Sequence, residues 1–142
     1  MPLTNFGSIL NFAEELETQD QEFYQLVAKS PACSGLKDVF SQFAADAAKN
    51  QKTVQRIRRE NVTEMILESV SDFTRAPFCE ACEGAASCSA EDALATARRL
   101  EDRAARYYGE AAGKLKAQPE VARGLKQIGK KRSAHLNKLD SL

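Results

Sequence analysis

A chain of 142 residues is long enough for one domain with a sizeable buried core. Lys plus Arg and Asp plus Glu each number 20, so the formal net charge is zero and nothing global argues for nucleic acid or an anionic membrane as partner. The apolar runs are too short to span a bilayer, and Met1-Pro2-Leu3-Thr4-Asn5-Phe6 has neither the basic nor the apolar region of a secretory leader, so a soluble cytoplasmic protein is expected.

The apolar period is helical almost throughout. In the first helix Ile9, Phe12, Ala13, Leu16, Phe23, Tyr24 and Val27 recur at spacings of three and four. Ser30-Pro31-Ala32-Cys33-Ser34-Gly35 breaks that helix and caps the next, whose stripe is Val39, Phe43, Ala47, Val54 and Ile57. Ser89-Ala90-Glu91-Asp92 resembles a capping box with Asp in the fourth place, opening a third helix through Leu94, Ala97, Leu100, Ala104, Tyr108, Ala111 and Leu115. Pro119 suits the first turn of a fourth helix, where its missing N–H costs nothing, and Val121, Leu125, Ile128, Leu136 and Leu139 run to the end. No segment shows sustained β alternation.

Residues 61–88 differ: the segment is acidic, contains Pro77 and Gly84, and holds three of the four Cys. A long middle connection between two short-loop helix pairs predicts an all-α four-helix bundle over residues 1–142. Two antiparallel pairs are then joined by one crossover, an arrangement an up-and-down bundle does not need. Ala-rich helices also suit an interaction coiled coil, but charges on the inward face argue against that.

Those inward charges repeat. Glu17 precedes Tyr24 by seven residues, and Glu101 precedes Tyr108 by seven, each Tyr with an aromatic just before it. Seven residues turn a helix about 700°, so each Glu shares a face with its Tyr. Asp46 lies between Phe43 and Asn50 on the apolar stripe of the second helix, with Lys49 three residues on. In the fourth helix Arg132 and His135 fall on the seam of Val121, Leu125, Ile128 and Leu139. A surface salt bridge is the ordinary role of any one such charge. Several on related faces of two half-chains point inward together, and buried charges need partners.

On these residues the chain resembles the rubrerythrin-like branch of the ferritin superfamily, whose halves each read Glu, a Tyr seven residues later, and Glu-x-x-His on the next helix. The resemblance implies that Glu17 and Glu101 stand at carboxylate ligand positions, Asp46 at a bridging Glu and His135 at a His ligand. It also places Lys49 at the other His position and Arg132 at the other bridging Glu. Arg is cationic and offers only donors, so it repels a metal and attracts the remaining carboxylates. The expectation is a degenerate site, Glu17, Asp46, Lys49, Glu101, Arg132 and His135, with no cofactor at the bundle centre. The alternatives are iron on a reduced set, or a mononuclear site on Glu17, Glu101 and His135. Tyr24 and Tyr108 are core aromatics beside it, and a lone His on an apolar seam is most readily a hydrogen-bonded core group.

Cys79, Cys82 and Cys88 have C-x2-C-x5-C spacing, which suits zinc, an iron–sulfur cluster or a reversible disulfide. A crossover running the length of the bundle brings Cys88 toward Cys33. The ordinary alternative is unconnected thiols.

The functional expectation is a non-enzymatic module, redox-responsive or partner-binding through its Cys segment. The rivals are an iron oxidoreductase handling peroxide or iron, and a structural assembly subunit. A homodimer is the default from related bundles, with a protein partner as the further expectation and no role for nucleic acid or membrane. Arg123, Lys126, Lys130 and Lys131 of the fourth helix read as a solvated basic face.

Overall fold

Spacings of three and four become four helices in the computed structural model, which describes residues 6–60, 78, 89–115 and 118–141. They are α1 (Phe6–Lys29), α2 (Lys37–Glu60), α3 (Ala90–Lys114) and α4 (Pro119–Asp140), with a 3-10 turn at Pro31–Leu36 between α1 and α2. The stop and start signals act as their chemistry dictates. Pro31 and Pro119 both sit at helix starts, where no backbone donor is needed. Ser89 Oγ accepts from the Asp92 N–H at 3.1 Å, which caps α3.

Side-chain pairs fix the directions. Arg58 meets Glu14 at 3.0 Å and Gln51 meets Gln21 at 2.5 Å, so α1 and α2 are antiparallel. His135 meets Glu101 at 3.2 Å, and a Cβ added at Gly129 would lie 3.2 Å from Tyr108 Cβ, so α3 and α4 are antiparallel. Tyr24 meets Glu101 at 2.6 Å and Tyr108 meets Glu17 at 2.8 Å, so α3 also runs against α1. Hence α2 and α3 run the same way, and α2 ends at the pole opposite the start of α3. All the described elements are helical, as a four-helix bundle of two antiparallel pairs requires. Among the described residues, no helix is long and apolar enough to cross a membrane.

The core is divided. One apolar cluster gathers Ile9, Phe12, Leu16, Val54, Tyr107, Leu125 and their neighbours. The other gathers Phe23, Val27, Cys33, Phe40, Phe43, Ala93, Ala97 and Leu139. Burying each large side chain contributes roughly 1.5–3 kcal/mol. Between the clusters lies a layer of buried polar groups: Glu17, Asp20, Asn50, Glu101, Arg103, Arg132 and His135. Gly129 permits the close α3–α4 approach one turn before Arg132. Phe78 is buried in the first cluster, edge-on to Tyr107 at 5.1 Å.

Candidate functional site

Arg132 occupies the middle of the polar layer. Each guanidinium nitrogen faces a different carboxylate. Nη1 donates to Glu17 Oε2 at 2.8 Å, Nε lies 2.6 Å from Glu101 Oε2, and Nη2 donates to Asp20 Oδ2. The planar fork of Arg suits such sharing, and a Lys could not span three acceptors in fixed directions. The outward oxygens are also engaged. Tyr108 donates to Glu17 Oε1 at 2.8 Å and Tyr24 to Glu101 Oε1 at 2.6 Å. Asn50 Nδ2 lies 3.4 Å from both Glu17 oxygens. His135 bridges outward, with Nδ1 3.2 Å from Glu101 Oε1 and Nε2 2.9 Å from Asp46 Oδ2, its ring stacked 3.9 Å from that of Phe43.

Glu17, Asp46, Glu101, Arg132 and His135 thus meet mid-bundle, with Tyr24 and Tyr108 donating into the cluster. Lys49 does not join them and is exposed. The helix explains this correction: Lys49 follows Ala47, which is buried, by two residues, about 200° around the axis. Asn50 takes the inward place, and Asp46 sits at the edge of the stripe with its side chain 28% exposed. Cys33 is buried at the pole where α3 begins. Cys79, Cys82 and Cys88 lie outside the described residues.

Two members carry no mark in the duplicated pattern. Asp20 is fully buried between Arg132 and Arg103, whose Nη2 donates to Asp20 Oδ1 at 2.5 Å. Arg103 Nη1 donates to the Phe78 carbonyl at 2.9 Å, which ties Phe78 to the cluster. Both had a legible signal: Asp20 falls midway in the heptad run Ala13, Asp20, Val27, and Arg103 lies between Leu100 and Tyr107 at helical spacing.

Burial pushes the Glu17 carboxyl up to about 7; Arg132 opposes this, and Asp20 adds to it. Burial likewise raises Asp20 against the pull of Arg132 and Arg103. For Glu101 burial pushes up, but Arg132, His135 and the Tyr24 bond together hold it below the ordinary carboxyl range. Burial disfavours a charged His135, yet its bonds to Glu101 and Asp46 raise it above the usual imidazole value. Burial and the neighbouring carboxylates hold the Tyr24 and Tyr108 phenols protonated. Four carboxyls, of Glu17, Asp20, Asp46 and Glu101, therefore face Arg103, Arg132 and His135.

The family model described as a ferritin-like domain matches residues 7–142. The chain belongs to the ferritin-like family. No curated protein and no solved structure matches it. In this ferritin-like chain the polar layer sits where facing helices of such bundles project inward side chains. Among the described residues, no group of three or more His, Cys, Asp and Glu is arranged to hold a metal ion.

Proposed function

We propose that this ferritin-like protein is of the rubrerythrin type, with an arginine-centred ion cluster in place of the di-metal centre. It works as a redox-responsive or partner-binding module through its Cys segment, without catalysis at the bundle centre. The observation that carries the reading is the three-way commitment of the Arg132 guanidinium to Glu17, Asp20 and Glu101.

The residues present do not fit a di-metal group. Two divalent ions need several carboxylates and imidazoles on facing helices. Here a permanent cation takes the acceptor sites those ions would use, and it repels them at close range. Asn50 and Asp46 leave the second helix without an inward imidazole. With the centre closed, the chemistry-bearing residues left over are the cysteines. Ser89, next to Cys88 in sequence, caps α3 at the pole where Cys33 is buried, which supports a shared role for Cys33 and Cys88.

The test is metal content and thiol titration on protein purified without added metal, followed by aerobic loading with ferrous iron. The expected result is no stoichiometric iron and no di-iron absorption, with thiols that change state with redox potential or hold zinc. Iron near two per chain, lost on replacing Glu17 or Glu101, overturns the reading in favour of an iron oxidoreductase.

A further inference from the structure

The chain has three tyrosines and no tryptophan, and the three phenols differ in where their protons can go. Tyr107 donates to the Ile9 carbonyl at 2.5 Å, and a peptide carbonyl is no base. Tyr108 donates to Glu17, whose other partners, Arg132 and Asn50, turn N–H groups toward it. A proton arriving on Glu17 finds no onward acceptor in those groups. Tyr24 donates to Glu101 at 2.6 Å, and there the chain of contacts continues. His135 Nδ1 lies 3.2 Å from the same Glu101 oxygen, and Nε2 lies 2.9 Å from Asp46 Oδ2. The Asp46 side chain is 28% exposed, so this chain of contacts ends in solvent.

An imidazole takes a proton at one nitrogen and releases one from the other, so His135 passes a proton on rather than stopping it. Ring contacts follow the same route. Tyr24 lies edge-on to Phe43 with ring centres 5.3 Å apart, and Phe43 stacks on the His135 ring at 3.9 Å. Packed rings therefore join the buried phenol to the surface beside its proton path. Burial and the Glu101 charge hold the phenol protonated, so its proton leaves with an electron and not ahead of it.

We propose that Tyr24 is a redox-active tyrosine, oxidised by an outer-sphere one-electron oxidant while its proton leaves through Glu101, His135 and Asp46. The phenol gives one electron to the oxidant and its proton to Glu101. Glu101 passes a proton to His135 Nδ1 as Nε2 gives one to Asp46, which releases it to water. The products are a neutral phenoxyl radical, the reduced oxidant and one proton in solvent; Glu101, His135 and Asp46 end as they began. The step uses no metal and no thiol, so it is independent of the role given to the Cys segment.

The experiment generates tris(bipyridine)ruthenium(III) by a flash in solutions of the full chain, with electron paramagnetic resonance of freeze-quenched samples as the readout. Wild type is expected to show a tyrosyl signal whose formation slows in heavy water. Tyr107→Phe and Tyr108→Phe should keep the signal and Tyr24→Phe should lose it, with the helical content of each variant checked by circular dichroism. His135→Gln leaves every tyrosine in place and cuts the proton path at its middle. It should slow radical formation by about a hundredfold, the scale of a lost proton-transfer partner. No tyrosyl signal in wild type, a signal that follows Tyr107 or Tyr108 instead of Tyr24, or a rate unchanged by heavy water or by His135→Gln overturns the proposal.

Discussion

The Tyr24 hydroxyl on α1 donates to Glu101 on α3 at 2.6 Å, so the tyrosine of one half-chain serves the glutamate of the other. Tyr108 returns the relation to Glu17 at 2.8 Å. A hydrogen bond to a charged acceptor contributes about 1.5–3 kcal/mol, so Tyr24→Phe and Tyr108→Phe should each destabilise by that order. The two acceptors share Arg132, so the double variant should depart from additivity by about 0.5 kcal/mol or more. Urea unfolding of the four-member cycle measures it, and strict additivity would show that the cluster does not act as a unit.

Glu17 sets a pH dependence. Its proton is held more tightly in the folded chain, up to about 7 against an ordinary 4.5. That contribution is fully present below about pH 4.5 and is withdrawn as pH rises through about 7. Glu17→Gln mimics the protonated form. It should therefore gain on the wild type by about 3 kcal/mol between acid and mildly alkaline pH. His135 loses its contribution above its ordinary 6.5, as pH rises through its raised folded value, and Glu101 loses its own below 4.5, as pH falls through its lowered value. Both remain in the variant, so the difference between the two stability curves isolates Glu17. Parallel curves would deny Glu17 its raised value.

Arg132→Met removes the partner common to three buried carboxylates. Breaking a buried ion pair from one side typically costs about 3–5 kcal/mol. The loss should be larger at pH 8 than at pH 5, because stranded acids recover by taking protons. Chemical denaturation at the two pH values checks this. An equal cost at both would assign Arg132 a packing role alone.

Phe78 should contribute substantially to the stability of the bundle. It is 1% exposed, in ring contact with Tyr107, and its carbonyl accepts from Arg103. Phe78→Ala should cost about 3–5 kcal/mol, the range for a buried aromatic truncated to Ala. A cost below 1 kcal/mol in equilibrium unfolding would mean that the ring is dispensable.

The fold was legible because the apolar period and the breaks between helices are both strong. Ser89 and Pro119 mark helix starts by chemistry that acts within one turn, and the structure uses both. The cluster was legible only where the duplication marked it. Lys49 was placed inward by analogy with a pattern counted from Asp46, but Asp46 lies at the stripe's edge, so three residues further turns the side chain to solvent. Counting from Ala47 instead selects Asn50. Asp20 and Arg103 occupy ordinary core positions of their helices, but they belong to no repeated motif. Their partnership crosses from α1 to α3, and periodicity within one helix cannot report a pairing between two. The same limit applies to Phe78, which stands in a part of the sequence that reads as loop.

The cluster's charges are divided unequally between the hairpins. Glu17, Asp20 and Asp46 lie on α1 and α2, whereas Arg103, Arg132 and His135 lie on α3 and α4 with Glu101 as the one acid among them. A duplicated hairpin is prone to pair with a second copy of itself, since its apolar stripe matches its own image. Here such a self-match of the first hairpin would bury facing acids without a cation, and one of the second would set two guanidinium groups and an imidazole against a single carboxylate in each copy. Each hairpin therefore rejects its own copy and accepts the other. The charge asymmetry makes the bundle a heterodimer of hairpins that happens to be written on one chain.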